Sequence, residues 1–157
     1  MDKKEAHKLA KQIYRDSYQI DVEVLENGYL PIKAHQTDAG IDLFVTEDVT
    51  ITQGNITKHP LNIRLKLPKG TYMEITSKSG LGLKGLLVYA GIIDEEYRGI
   101  PHVICTNLTD KSIILKKGQK IAQMIPHPFS SEYYINRIDK IDLDTNRGTG
   151  GFGSSGS

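Results

Sequence analysis

The 157-residue sequence predicts an all-β fold, a sandwich, jelly roll or barrel, and three observations carry that expectation. From residue 20 onward apolar and polar residues alternate, as in Ile20/Val22/Val24, Ile41/Leu43/Val45 and Ile63/Leu65/Leu67, the period of half-buried antiparallel strands. Further short apolar runs stand at 72–75, 86–89, 103–105, 113–115 and 121–125. Turn signals separate the runs: Asn27-Gly28, Gln53-Gly54, Pro68-Lys69-Gly70 and Lys117-Gly118. No long helical pattern interrupts them, and many short strands joined by glycine turns build sandwiches and barrels. An immunoglobulin-type sandwich fits less well, because the chain has no tryptophan and a single cysteine.

In chain order, residues 1–19 form an N-terminal extension. Ala6, Leu9, Ala10, Ile13 and Ser17 fall at helical spacing with Lys3, Lys4, Lys8, Lys11 and Arg15 between them, which predicts a short basic amphipathic helix. Its apolar stripe is thin, so fraying or weak docking is expected. Residues 20–141 form the β domain. Residues 142–157 lose the pattern and end in a glycine- and serine-rich arm that, alone, buries too little apolar surface to offset its ordering entropy.

Composition narrows the function. A net charge of +1 gives none of the positive field of a general nucleic-acid binder. One cysteine, Cys105, allows no internal disulfide and no multi-cysteine zinc site, and it reads as an inert core residue. With no apolar stretch of membrane-spanning length and no apolar signal core, a cytoplasmic location is expected and a membrane partner is not. Tyr133 and Tyr134 read as core or subunit-surface residues.

Glycine is unevenly spread: of 15, five lie in residues 80–99 and five in 148–156. In Ser77-Lys78-Ser79-Gly80 an ammonium, a hydroxyl and a glycine amide stand together at a strand exit, a set of phosphate-binding groups. Gly91-Ile92-Ile93-Asp94-Glu95-Glu96-Tyr97-Arg98-Gly99 reads as a hairpin bearing three acids. Strand spacing after Ile92 and Ile93 points Asp94 into a pocket, where it would be a candidate base or metal partner. The arm is either a flexible linker or a lid. Arg147 and Phe152 among glycines suit a lid over a ligand that carries both phosphate and a flat base. It lacks the strand–turn–helix context of Walker and Rossmann loops.

Five segments, in order, resemble the motifs of the homotrimeric dUTPase family: Ala39-Gly40-Ile41-Asp42-Leu43; 77–81; 91–99; Gly118-Gln119-Lys120-Ile121-Ala122-Gln123; and 147–156. The resemblance spans residues 20–156. It implies a distorted jelly-roll or β-barrel of the dUTPase type, assembled as a homotrimer with shared active sites. It further implies Mg²⁺-assisted hydrolysis of dUTP to dUMP and pyrophosphate by water attack on the α-phosphate. That reaction keeps uracil out of DNA and supplies dUMP for thymidylate synthesis. By the same resemblance Asp94 orients and activates the water and Gln123 supports the water and the α-phosphate. Lys78, Ser79 and Gly80 meet the phosphate chain, and Asp42 holds a water of the Mg²⁺ shell. Val88, Gly91, Ile92, Ile93 and His102 contribute mainly main-chain contacts to uracil, while Tyr97 packs on the sugar. Arg147, Gly153, Ser154 and Ser155 close on the γ-phosphate and Phe152 covers the uracil.

Some positions depart from the family pattern. Motif two usually reads Pro-Arg-Ser-Gly, and Lys78 keeps the charge while losing the planar fork of donors. Gln119 stands for the usual acid of motif four and Ser155 for the usual threonine. Pro101 predicts a sheet edge or bulge after motif three. A dCTP deaminase-like enzyme is the nearest alternative, although 100–107 contains no acid to match its catalytic glutamate. A phage-type dUTPase that also binds a repressor protein is the other, with the basic N-terminal segment as its docking element.

Overall fold

The structure, a computed structural model, describes residues 2–146. Helix α1 (Lys3–Asp16) precedes the β domain. The strands are β1 (Asp21–Val24), β2 (Ile41–Phe44), β3 (Val49–Ile51), β4 (Ile56–Pro60), β5 (Ile63–Lys66) and β6 (Thr71–Thr76). A single helical turn, α2 (Ser79–Leu83), follows, then β7 (Leu86–Tyr89), β8 (Ile92–Ile93), β9 (His102–Asn107), β10 (Ile113–Leu115) and β11 (Lys120–Pro128). All strand pairings are antiparallel. One sheet has the order β2-β11-β6-β8, a second β4-β9-β7, and β1-β5 and β3-β10 form two-stranded ladders.

The period-two expectation holds where the strands face one core. In β5, Ile63 and Leu65 are buried while Arg64 and Lys66 are exposed. The same alternation brings Leu43, Ile51, Met73, Val103, Cys105 and Ile121 into a single apolar cluster. Each such side chain contributes on the order of 1.5–3 kcal/mol by leaving water. Three strands gave no clear signal in the sequence: β3 and β8 are very short, and β4 carries the polar run Thr57-Lys58-His59 before Pro60. The turn signals are real turns, with Asn27, Gly54, Gly70 and Gly118 all at positive φ.

Pro101 lies one residue before β9, and there β9 has an open edge: β4 pairs with it from His102 onward, whereas β7 reaches only as far as Ile104. A proline just outside the ladder is asked for no strand N–H, and its carbonyl still accepts the Leu61 amide at 3.0 Å. The segment expected to be a hairpin is a wide one. Strands β7 and β9 are antiparallel neighbours, and the loop of residues 90–101 between them sends β8 across to pair with β6 of the other sheet.

Helix α1 is stabilised locally. The Asp2 carboxylate accepts the Glu5 amide at 2.8 Å and the Glu5 carboxylate accepts the Asp2 amide at 3.0 Å, a reciprocal capping box. No residue of α1 is buried. Among the described residues no helix is long and apolar enough to cross a membrane. Beyond Pro128, residues 129–146 carry no helix or strand.

Deleting residues 1–17 should therefore shift the unfolding free energy by less than about 1 kcal/mol, since no buried side chain is lost. Met73→Ala, which empties a fully buried site, should cost about 2–5 kcal/mol. Urea titrations of both variants against the full chain check the contrast.

Candidate active site

Strand β11 is flanked by β2 and β6, and its register sets Gln123 opposite Asp42 on one side and Thr76 on the other. Asp42 is 3% exposed. A carboxylate so placed requires partners, because desolvating an unpaired charge is costly. It has two: Oδ1 accepts from Lys78 Nζ, and Oδ2 accepts from Lys120 Nζ at 2.6 Å. Burial, the largest single influence on the Asp42 pKa, pushes it up. The hydrogen bonds and charges of Lys120 and Lys78 together outweigh that burial and hold it below its ordinary value.

Gln123 Nε2 donates to the Ser77 carbonyl at 3.0 Å. A Cβ on Gly40 would collide with Gln123 Oε1, so glycine at this position is what lets the amide lie flat beside β2. Ser77 joins the next element as well, its Oγ accepting the Val88 amide at 3.2 Å. Lys78 is the N-cap residue of α2, and Ser79 and Gly80 are exposed in its first turn. The chain leaves open space where a Cβ of Gly80 would stand, so no crowding within the chain demands glycine there.

The loop of residues 90–101 starts under constraint. Ala90 has φ 43, a conformation that a residue with a side chain adopts at a cost. A Cβ on Gly91 would strike the Ile75 carbonyl, and the Gly91 carbonyl accepts the Ile75 amide at 2.7 Å. Ile92 and Ile93 then pair with Glu74 and Met73, and Ile93 enters the core. Alternation turns Asp94 the other way. Among the described residues its side chain is exposed, because its neighbour Ile93 takes the inward position. Tyr97 is 45% exposed, its hydroxyl donating to the Ile100 carbonyl at 3.3 Å, and a Cβ on Gly99 would collide with that hydroxyl. His102 Nδ1 lies 2.8 Å from the same carbonyl.

The structure thus gathers Asp42, Lys78 and Gln123 in one cluster, with Ser79 and Gly80 next to it and Val88 tied to it through Ser77. Gly91, Ile92 and Ile93 lie along β6. Among the described residues no hydrogen bond joins Asp94, Tyr97 or His102 to the Asp42 cluster. Arg147, Phe152, Gly153, Ser154 and Ser155 lie outside the described residues. Lys120, Gly40 and Ser77 are the members that residue reasoning missed. Lys120 stood in plain view in the fourth motif, but only the fold shows that its ammonium reaches back to β2.

Among the described residues no group of three or more His, Cys, Asp or Glu side chains could hold a metal ion directly. Asp42, with both oxygens already engaged by ammonium groups, does not make a cage for a bare ion. This donor set fits Mg²⁺ that arrives on a polyphosphate with its own waters, since Mg²⁺ keeps much of its hydration shell. Cys105 is buried, and burial pushes its thiol pKa up, as befits an inert core residue. Tyr133 and Tyr134 are largely exposed and belong to no core within this chain.

Comparison with known proteins assigns the family. The dUTPase family profile matches residues 26–156. The deoxyuridine 5'-triphosphate nucleotidohydrolase of Clostridium kluyveri is 40% identical over 131 residues, covering 82% of this chain and 90% of that protein. The dUTPase of Staphylococcus bacteriophage 80alpha, solved with dUpNHpp, superposes with a TM-score of 0.78 at 26% identity, covering 88% of this chain and 99% of that one. Native EIAV dUTPase gives a TM-score of 0.67 at 32% identity, covering 78% and 100%.

Folding lowers the Asp42 pKa from 3.8, so the stabilisation it contributes is complete above that value and is lost as pH falls through the lower folded-state pKa. Asp42→Asn should be less stable than the parent at neutral pH by about 1–3 kcal/mol. The gap should close as the pH is taken well below 3.8. Denaturation curves of both proteins across that range provide the measurement.

Proposed function

The chain belongs to the dUTPase family and hydrolyses dUTP to dUMP and pyrophosphate, and we propose that Asp94 activates the attacking water while the Asp42 cluster grips the triphosphate. The observation that carries this reading is the buried Asp42 carboxylate, which gathers the ammonium groups of Lys78 and Lys120 beside the amide of Gln123. Two cations fixed side by side by an anion behind them form a preorganised seat for a polyanion.

Each residue has a definite task. Lys78 and Lys120 neutralise phosphate oxygens as compact charges, which suits a site without the planar fork of arginine. The Ser79 hydroxyl and the Gly80 amide donate to the phosphate chain from the exposed first turn of α2. Gln123, held by Ser77 and with room made by Gly40, orients the water and the α-phosphate. Asp94 takes the proton of the attacking water as the new P–O bond forms and the bond to the leaving pyrophosphate breaks. Mg²⁺ bound with the triphosphate would supply charge neutralisation there, and Asp42 would hold a water of its shell.

The main chain of residues 88–93 presents fixed donors and acceptors to the uracil edge. A site built to pair one edge rejects cytosine, which leaves buried groups unpaired. Tyr97 packs against the deoxyribose and His102 adds a contact nearby. Arg147, Phe152, Gly153, Ser154 and Ser155 close over the triphosphate and base, excluding bulk solvent. A homotrimer completes each pocket. Two features support this: among the described residues Asp94 and Tyr97 are exposed and make no hydrogen bond to the lysine cluster of their own chain, and Tyr133, Tyr134 and Ile135 are exposed on a stretch without helix or strand. Enzyme and substrate meet in the cytoplasm.

Pyrophosphate release from dUTP, dCTP, dTTP and UTP in the presence of Mg²⁺ tests the reading. dUTP should be strongly preferred, and Asp94→Asn should lower its turnover by about 10²–10⁴-fold. Equal rates on dCTP, or a fully active Asp94→Asn, would overturn it. Removing residues 147–157 should lower turnover on the order of 10²-fold with the denaturation midpoint unchanged.

A further inference from the structure

We propose that Glu95 is a positioning residue: its carboxylate clasps the turn that carries Asp94 to the β5–β6 turn, at the junction from which the chain leaves β11. The inference rests on Asp94 being the base. Among the described residues, Asp94 has no side-chain hydrogen bond of its own, so its aim depends on the backbone of the turn that begins with it, closed by the Tyr97 amide on the Asp94 carbonyl at 3.1 Å.

Besides the β8–β6 ladder that ends at Ile93, two side-chain contacts fasten that turn to the body. Arg98 Nη1 donates to the Glu95 carbonyl at 2.8 Å and the Tyr97 carbonyl at 3.1 Å, and it reaches the Leu65 carbonyl on β5 at 3.5 Å. The shorter link is Glu95 Oε2, which accepts the Gly70 amide at 2.7 Å across 25 residues of sequence. A bond from a backbone amide to a carboxylate is among the stronger hydrogen bonds. Gly70 has φ 72, a left-handed conformation suited to glycine. Its N–H goes to Glu95 and its carbonyl accepts the Phe129 amide at 2.9 Å, just past the end of β11. One glycine therefore ties the base-bearing turn to the point where the C-terminal segment departs.

The consequence is catalytic geometry. A base displaced by about 1 Å can lose on the order of 10²-fold in rate, and a base on a loop is placed only as well as its support. Loss of the Glu95 carboxylate removes the shorter side-chain link and leaves the turn held by β8 ahead of Asp94 and by the 3.5 Å contact of Arg98 with Leu65.

Glu95→Ala and Glu95→Gln, alone and in the Asp94→Asn background, test this by steady-state kinetics on dUTP and by hydrogen exchange at the Gly70 amide. Glu95→Ala should lower kcat about 10-fold with KM changed less than about twofold, and exchange at Gly70 should quicken. Glu95→Gln, whose amide oxygen accepts the same bond, should restore both. In the Asp94→Asn background Glu95→Ala should add no further loss. Wild-type turnover in Glu95→Ala, failure of Glu95→Gln to rescue, or an equal loss in the Asp94→Asn background each overturns the proposal while leaving the base assignment intact. A fully active Asp94→Asn overturns both.

Discussion

A carboxylate buried in the edge strand of a sheet determines the layout of this protein's site. The charge of Asp42 is stabilised by Lys78 and Lys120, one reaching it from the exit of β6 and the other from the start of β11. Removing one partner would leave a buried charge partly uncompensated, so the three positions are mutually dependent. The antiparallel ladders supply the register that makes the meeting possible, with Gln123 opposite both Asp42 and Thr76. Packing around Met73, Ile121 and Met124 holds those ladders in place, and the polar cluster rests on that apolar floor.

Ser77 carries the order of this cluster outward. Its carbonyl takes Gln123 and its hydroxyl takes the Val88 amide, so the Asp42 cluster and β7, the strand that leads into the 90–101 loop, share one residue. The loop then crosses between sheets at Ala90 and Gly91, where positive φ and a close approach to Ile75 leave little choice of path. Backbone held this tightly can present main-chain groups to a base at low entropic cost on binding. Of the acids that follow, Asp94 and Glu96 are exposed and Glu95 is half-buried, and their placement depends on links such as those of Glu95 and Arg98.

Much of this was legible from residue order. Ile63/Leu65 and Leu86–Tyr89 announced strands by alternation and apolarity, and Gly70 and Gly118 announced turns because positive φ favours glycine. The β3, β4 and β8 strands were not legible, since a two- or three-residue strand, or one made of Thr57-Lys58-His59, has no pattern of its own and exists because a neighbouring ladder accepts it. Pro101 was legible as a sheet edge, because a proline can donate no ladder hydrogen bond, and β7 stops short of it at Ile104.

The sequence by itself determined the strand periodicity, the turns and the chemical types at the site, because each depends on residues near one another in the chain: Asp42, Lys78, Asp94 and Gln123 could all be named from their motifs. Tertiary structure alone decided which groups meet. Lys120 reaches Asp42, Gly40 makes room for Gln123, Ser77 bridges to Val88, and Glu95 takes the Gly70 amide across 25 residues. It also turned Asp94 outward, because the inward position beside it went to Ile93. Such pairings follow from sheet register and from which face of a strand meets the core, and both are settled by long-range packing that local sequence does not encode.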